Sequence, residues 1–172
     1  MELNVFILDN LNRIQRALTE ALDSLTYEEL TWQPDDEANS IGFLLWHITR
    51  CEDTYIQSLI FQRPQVWVSE GWHDRMSLPD DLWNNGNGYT VEQLTDFRVP
   101  ELKDLLEYAQ EVRRRTNDFL RDLTPERSEE IIAQEGFGGI SVGGLLSYML
   151  CELTQHIGQI AYIRGLQRGL NG

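Results

Sequence analysis

Two polar residues interrupt the apolar stripe of the segment Leu145–Leu166, LLSYMLCELTQHIGQIAYIRGL. Leu145, Met149, Leu153, Ile157 and Ile160 recur at helical spacing. Glu152 and His156 fall among them, one turn apart, so a carboxylate and an imidazole stand one above the other on a helix face. Left unpaired in a core, such groups cost several kcal/mol. His47, in the second helical segment, offers a partner, because bundles build metal sites from side chains on facing helices. Two neutral imidazoles and one carboxylate with a position left open form the donor set of catalytic zinc, and they also suit other divalent metals. The Glu152/His156 spacing shares the geometry of His-Glu-x-x-His zinc helices, although that motif is absent. The Glu-x-x-His pattern of di-iron bundles is absent too, since Leu153 stands three before His156. A buried His–Glu hydrogen bond with no metal would leave the same sequence.

Neighbouring residues each carry two readings. Cys51, one turn past His47, is a fourth ligand or a small apolar filler. Arg50 is placed to bind an anionic group or to make a surface salt bridge. Trp46 and Tyr55 are cavity walls or core. His73, beside Trp72 in a connection, is expected to be exposed.

Four long amphipathic patterns must position these groups. Leu3–Leu25 reads as the first helix, followed by a short turn capped by Thr26 with Glu29 completing a capping box. The second runs from an N-cap at Asn39 or Ser40 to about Phe61, with Ile41, Leu44, Leu45, Ile48, Cys51, Tyr55 and Leu59 inward. Gln65–Asn87 is irregular and holds Trp67, Trp72 and Trp83. It is a lid over the bundle or a plug at its end. Thr90-x-x-Gln93 is a second capping box, and Pro100 suits the opening of a third long helix, to about Leu123. Arg113, Arg114, Arg115 and Arg121 read as its solvated face. Ile131–Ala133 suggests a brief extended piece within a connection that continues through Glu135-Gly136-Phe137-Gly138-Gly139. Ser141 caps the fourth long helix, to about Gln167. The fold class is all-α: a four-helix bundle with a long irregular connection between helices 2 and 3, forming one domain over residues 1–172.

Composition narrows the partners. Fourteen basic and 28 acidic residues give a formal charge of −14, which repels phosphate backbones and anionic lipids. Neither nucleic acid nor a membrane surface is expected as a partner. The best apolar run, Ile41–Trp46, is too short to span a bilayer, and the N-terminus shows no secretory leader pattern. Two cysteines, Cys51 and Cys151, are too few for a disulfide framework, so a cytoplasmic location is expected, although the two could pair.

The stretch Asn39-Ser-Ile-Gly-Phe-Leu-Leu-Trp-His47, followed by Glu152-x-x-x-His156-x-Gly158-Gln159, resembles the DinB-like superfamily, which includes YfiT-like proteins. The likeness covers nearly the whole chain, and the terminal His-x-Gly-Gln element is its most specific part. It implies a four-helix bundle holding one divalent metal, commonly through three histidines, and a homodimer. Here Glu152 replaces the usual middle histidine, which resembles the histidine-glutamate-histidine set of mycothiol-dependent maleylpyruvate isomerases. No counterpart of their additional C-terminal domain is expected within these 172 residues, so their substrate is not carried over. By this resemblance His47, Glu152 and His156 are the metal ligands. Zinc is the first expectation, with nickel, iron or manganese as alternatives. Gln159 supports a ligand or packs. The expected function is a thiol-dependent S-transferase or isomerase acting on a small molecule, with a low-molecular-weight thiol as co-substrate. The rivals are a metal-dependent hydrolase, a non-catalytic stress-associated metal-binding bundle, and a metal-free dimeric interaction module.

Overall fold

Two serines start the helices that matter most. The Ser40 hydroxyl accepts from the backbone N–H of Phe43 at 3.2 Å, and the Ser141 hydroxyl from that of Gly144 at 3.1 Å. Each satisfies a donor that the first turn of a helix leaves unpaired. The computed structural model describes residues 2–133 and 139–169. In chain order its helices are α1 (Leu3–Ala21), α2 (Tyr27–Thr31), α3 (Ile41–Asp53), α4 (Val66–Ser69), α5 (Trp72–Met76), α6 (Val91–Asp96), α7 (Leu102–Arg121), α8 (Pro125–Glu129) and α9 (Val142–Arg168). A π-helical stretch, Thr54–Ile60, continues α3. Among the described residues the only β pairing is an isolated bridge, Ile131 to Ser141, within the expected extended piece. Gln134–Gly138 of that connection lie outside the described residues.

The four long helices close a ring of contacts: α1 packs on α9 and α7, and α3 packs on the same two. The all-α bundle read from the sequence is therefore the fold. Both capping boxes form, Thr26 with Glu29 and Thr90 with Gln93. The first helix ends at Ala21 rather than Leu25, because Ser24 takes a positive φ of 53° before the Thr26 cap opens the next turn. The second long pattern does run to Ile60, but its last seven residues are wound wide.

The inward stripe of α3 is buried as read, but burial does not stop at it: every residue from Ile41 to Asp53 is buried. The cause is the Gln65–Asn87 connection, which folds back over the face that would otherwise meet water. Trp67 is fully buried there and donates Nε1–H to the Pro79 carbonyl at 3.0 Å, while Trp83 stays exposed. His73 is half-buried within α5, not exposed, with Nδ1 3.3 Å from Asp74 Oδ1. The face of α7 needs a similar correction. Arg113 points inward and grips Glu52 with Nε and Nη2, each at 2.8 Å. It stands where α7 crosses α3, so most of its side chain is withdrawn from the solvated face expected for it.

Arg114, Arg115 and Arg121 do lie on the outer side, among Glu111, Asp118 and Glu70. Arg114 first and Arg115 next hold the Glu111 carboxyl at about 2, below its ordinary 4.5. A depressed carboxylate stabilises the fold above 4.5 and loses that contribution as pH falls toward 2. For a surface cluster the loss is at most about 1 kcal/mol. Thermal melts of Glu111→Gln and the parent should converge across that interval.

Candidate metal centre

His47 lies in the middle of α3, and Glu152 and His156 lie one turn apart on α9. Because α3 and α9 pack directly, the three side chains meet. One donor atom from each residue falls within 4.8 Å of the others. Glu152 Oε1 is 3.2 Å from His47 Nε2 and 3.2 Å from His156 Nε2. The two imidazoles meet edge to face, with centroids 4.7 Å apart. His47 is buried, and the other two are half-buried at the rim.

The outer nitrogens are also held. His47 Nδ1 is 2.5 Å from the Asn85 carbonyl oxygen, and His156 Nδ1 is 2.7 Å from Gln159 Oε1. A carbonyl oxygen only accepts, so Nδ1 of His47 carries its proton, and the same assignment follows for His156. In the neutral rings each Nε2 then presents a lone pair to a carboxylate oxygen. Three electron-pair donors then face one another, an arrangement that a cation between them would satisfy, as would a proton on either Nε2. A divalent metal meets that need, and outer partners on the far nitrogens are the usual way to orient imidazole ligands. The donor set thus suits the group that the sequence resemblance implied. Gln159 was flagged in the sequence. Asn85 was not: its Asn-Asn-Gly-Asn-Gly surroundings signal a turn, but nothing in composition says where a backbone carbonyl points.

A cleft of about 310 Å³ opens beside the three residues. Phe43, the Gly86–Val91 segment and Leu94 line it, with Glu37 and Asn39 at its edge. Among the described residues, no lysine or arginine lines it. Gly86 sits where the loop presses on α3, at φ +86°, and an added Cβ would lie 2.6 Å from Phe43 Cζ and 2.9 Å from Trp46 Cζ3. Gly86→Ala is expected to cost about 2–4 kcal/mol, combining positive-φ strain and overpacking. Urea unfolding would measure it, and a loss below 1 kcal/mol would contradict this close approach.

Other candidates resolve differently. Cys51 Sγ approaches His47 Nε2 at 3.7 Å, but burial first and the Glu152 charge second push its thiol up to about 12. Cys51 is a filler that accepts weakly from Asn85 Nδ2 at 3.5 Å. Cys51 and Cys151 are both free, the first buried and the second exposed. Native protein is therefore expected to take up one equivalent of iodoacetamide, at Cys151, and two after denaturation, as mass spectrometry would show. Trp46 and Tyr55 are buried in the core and do not line the cleft. Arg50 makes neither a surface salt bridge nor a contact for an anion in the cleft. It is fully buried and turned toward the covering connection.

No helix among the described residues is long and apolar enough to cross a membrane. No curated protein matches the chain. A solved structure of a conserved protein from Enterococcus faecalis is 23% identical, with a TM-score of 0.84, covering 96% of this chain and 97% of its own. That likeness is one of fold. The sequence profile of the DinB superfamily matches residues 10–160, which include His47, Glu152 and His156 and the helices that carry them. On that match the chain belongs to the DinB superfamily.

Proposed function

We propose that the chain is a metal-dependent enzyme. It holds one divalent ion, zinc first, through His47, Glu152 and His156, and it acts on a small molecule in the adjoining cleft. The observation that carries this reading is the convergence of three electron-pair donors on one point, with both histidine protons already committed outward. When bound, the ion supplies Lewis acidity and lowers the pKa of a thiol or water in the open position. Of the reactions open to such a site, thiol-dependent transfer or isomerisation is the one we favour, following the likeness of the ligand set to thiol-dependent isomerases.

The protein's own groups supply the rest. The Asn85 carbonyl and the Gln159 amide keep each imidazole in one tautomer, so both Nε2 atoms stay available. Glu152 offsets one unit of the cation's charge. Phe43 stacks parallel to the His47 ring at 6.2 Å and shields one side of the site from water. The cleft walls offer amide, hydroxyl and carboxylate groups from Asn39, Asn87, Thr90 and Glu37 to orient a polar guest.

Elemental analysis of protein purified without a metal-affinity tag tests the first half, with one equivalent expected. Turnover of an electrophilic test substrate with a panel of thiols tests the second. Activity should vanish in His156→Ala while circular dichroism stays unchanged. A folded His156→Ala variant with full activity would remove the role assigned to the ion. Ester hydrolysis without any thiol would place the chain among hydrolases instead.

A further inference from the structure

Among the described residues, Arg50 is the largest charged side chain that is wholly buried. All its hydrogen bonds go to neutral groups. Nη1 donates to Gln65 Oε1 at 2.5 Å, and Nη2 donates to the carbonyls of Asp81 at 2.9 Å and Leu82 at 3.2 Å, with that of Asn84 at 3.5 Å. The guanidinium lies over the Trp67 ring at 4.6 Å, and its Nε has no partner among the described residues. Burying a cation this way carries a large desolvation cost. The buried Asp53 carboxylate nearby offsets part of that cost by its charge, but the guanidinium's own hydrogen bonds all go to the connection, so the placement points to a rigid fork of donors.

What it supplies is a fixed loop. Gln65 reinforces the grip, donating Nε2–H to the same Leu82 carbonyl at 2.9 Å. Tyr89 ties the other side, donating its hydroxyl to Asn84 Oδ1 at 2.7 Å. The next residue is Asn85, whose carbonyl receives the His47 Nδ1 proton at 2.5 Å. His47 and Arg50 share α3, so one helix carries both the imidazole and the device that sets its orienting acceptor.

We propose that Arg50 is a positioning residue for the metal centre. It pins Asp81–Asn84 so that the Asn85 carbonyl holds the His47 ring with Nε2 aimed at Glu152 and His156. This rests on the metal-binding reading of the three donors. The pinned segment continues into Gly86–Tyr89, which lines the cleft, so a guest pressing on that wall bears on the same carbonyl.

The test uses the full-length chain as parent, Arg50→Lys and Arg50→Ala. Zinc affinity is measured by chelator competition, and the His47 tautomer is read from imidazole ¹⁵N shifts of the metal-free protein. Outer partners of metal-bound histidines are worth about 10–100-fold in affinity, so losses in that range are expected in both variants. Lysine keeps the charge but lacks the fork, so it should not rescue. The His47 signal should change from a single Nδ1–H tautomer to a mixture while that of His156, held by Gln159 on α9, stays as in the parent; a merely looser fold would disturb both. Unchanged affinity and an unchanged tautomer in a folded variant overturn the proposal. If Arg50→Ala does not fold, Arg50→Lys decides. If the parent binds no zinc, the metal reading falls separately, and the tautomer alone decides whether Arg50 positions His47.

Discussion

Glu52→Ala is expected to destabilise the fold by about 3–5 kcal/mol, the range for breaking a buried ion pair by removing one partner. Glu52 is almost wholly buried, with 4% side-chain exposure, and Arg113 keeps only 16%. Their two parallel hydrogen bonds, both 2.8 Å, join α3 to α7. Without the carboxylate, the guanidinium retains a 3.4 Å bond to the Leu11 carbonyl and an uncompensated charge among helices. Arg113→Ala should cost a similar amount by stranding Glu52. The double variant Glu52→Leu with Arg113→Met should recover most of either loss, because two apolar groups of similar volume replace two desolvated charges. Urea unfolding of the three proteins checks this. A cost below 1 kcal/mol for Glu52→Ala would mean that Arg113 swings out to water and that the pair does not bind the helices together.

The second large effect concerns the ion. His47→Ala, Glu152→Ala and His156→Ala should each weaken zinc binding by more than the roughly 100-fold that loss of an outer partner costs, since each removes a direct donor. Of the three, His47→Ala should be the most damaging to the fold. It leaves the Asn85 carbonyl without its donor and opens space beside Phe43. Glu152→Ala should leave both imidazoles in place but remove the charge that offsets the cation. Chelator competition and elemental analysis of each purified variant give the answer. Retention of one equivalent at parental affinity by any of the three would remove that residue from the ligand set.

Much of this architecture is written in local patterns. Ser40, Ser141, Thr26 and Thr90 sit where cap chemistry demands, and each makes its predicted bond. The Glu152–His156 pair stands out because it interrupts an apolar stripe, but alone it fits a metal-free hydrogen bond, and the family resemblance is what joins His47 to it as a ligand set. Arg50 and Arg113 depart from their solvated readings because tertiary packing covers both: the Gln65–Asn87 connection folds over Arg50, and α3 with Glu52 meets Arg113. Helical periodicity reports an inner and an outer face, but α3 has no outer face once the Gln65–Asn87 connection covers it. That covering depends on contacts far apart in sequence, such as Trp67 to Pro79 and Asp53 Oδ1 and Oδ2 to the Val66 and Trp67 amides. Asn85 is not legible because the group it offers His47 is its backbone carbonyl, whose direction no residue type announces.

His47 and Glu152 are 105 positions apart along the chain. An ion seated between them is a rivet joining an early helix to the last one. Any fragment lacking either end keeps at most the Glu152–His156 pair, two donors on a single helix and too few for a cage. Loading of the proposed ion would therefore report assembly: only a chain whose α3 and α9 have found each other would take it up.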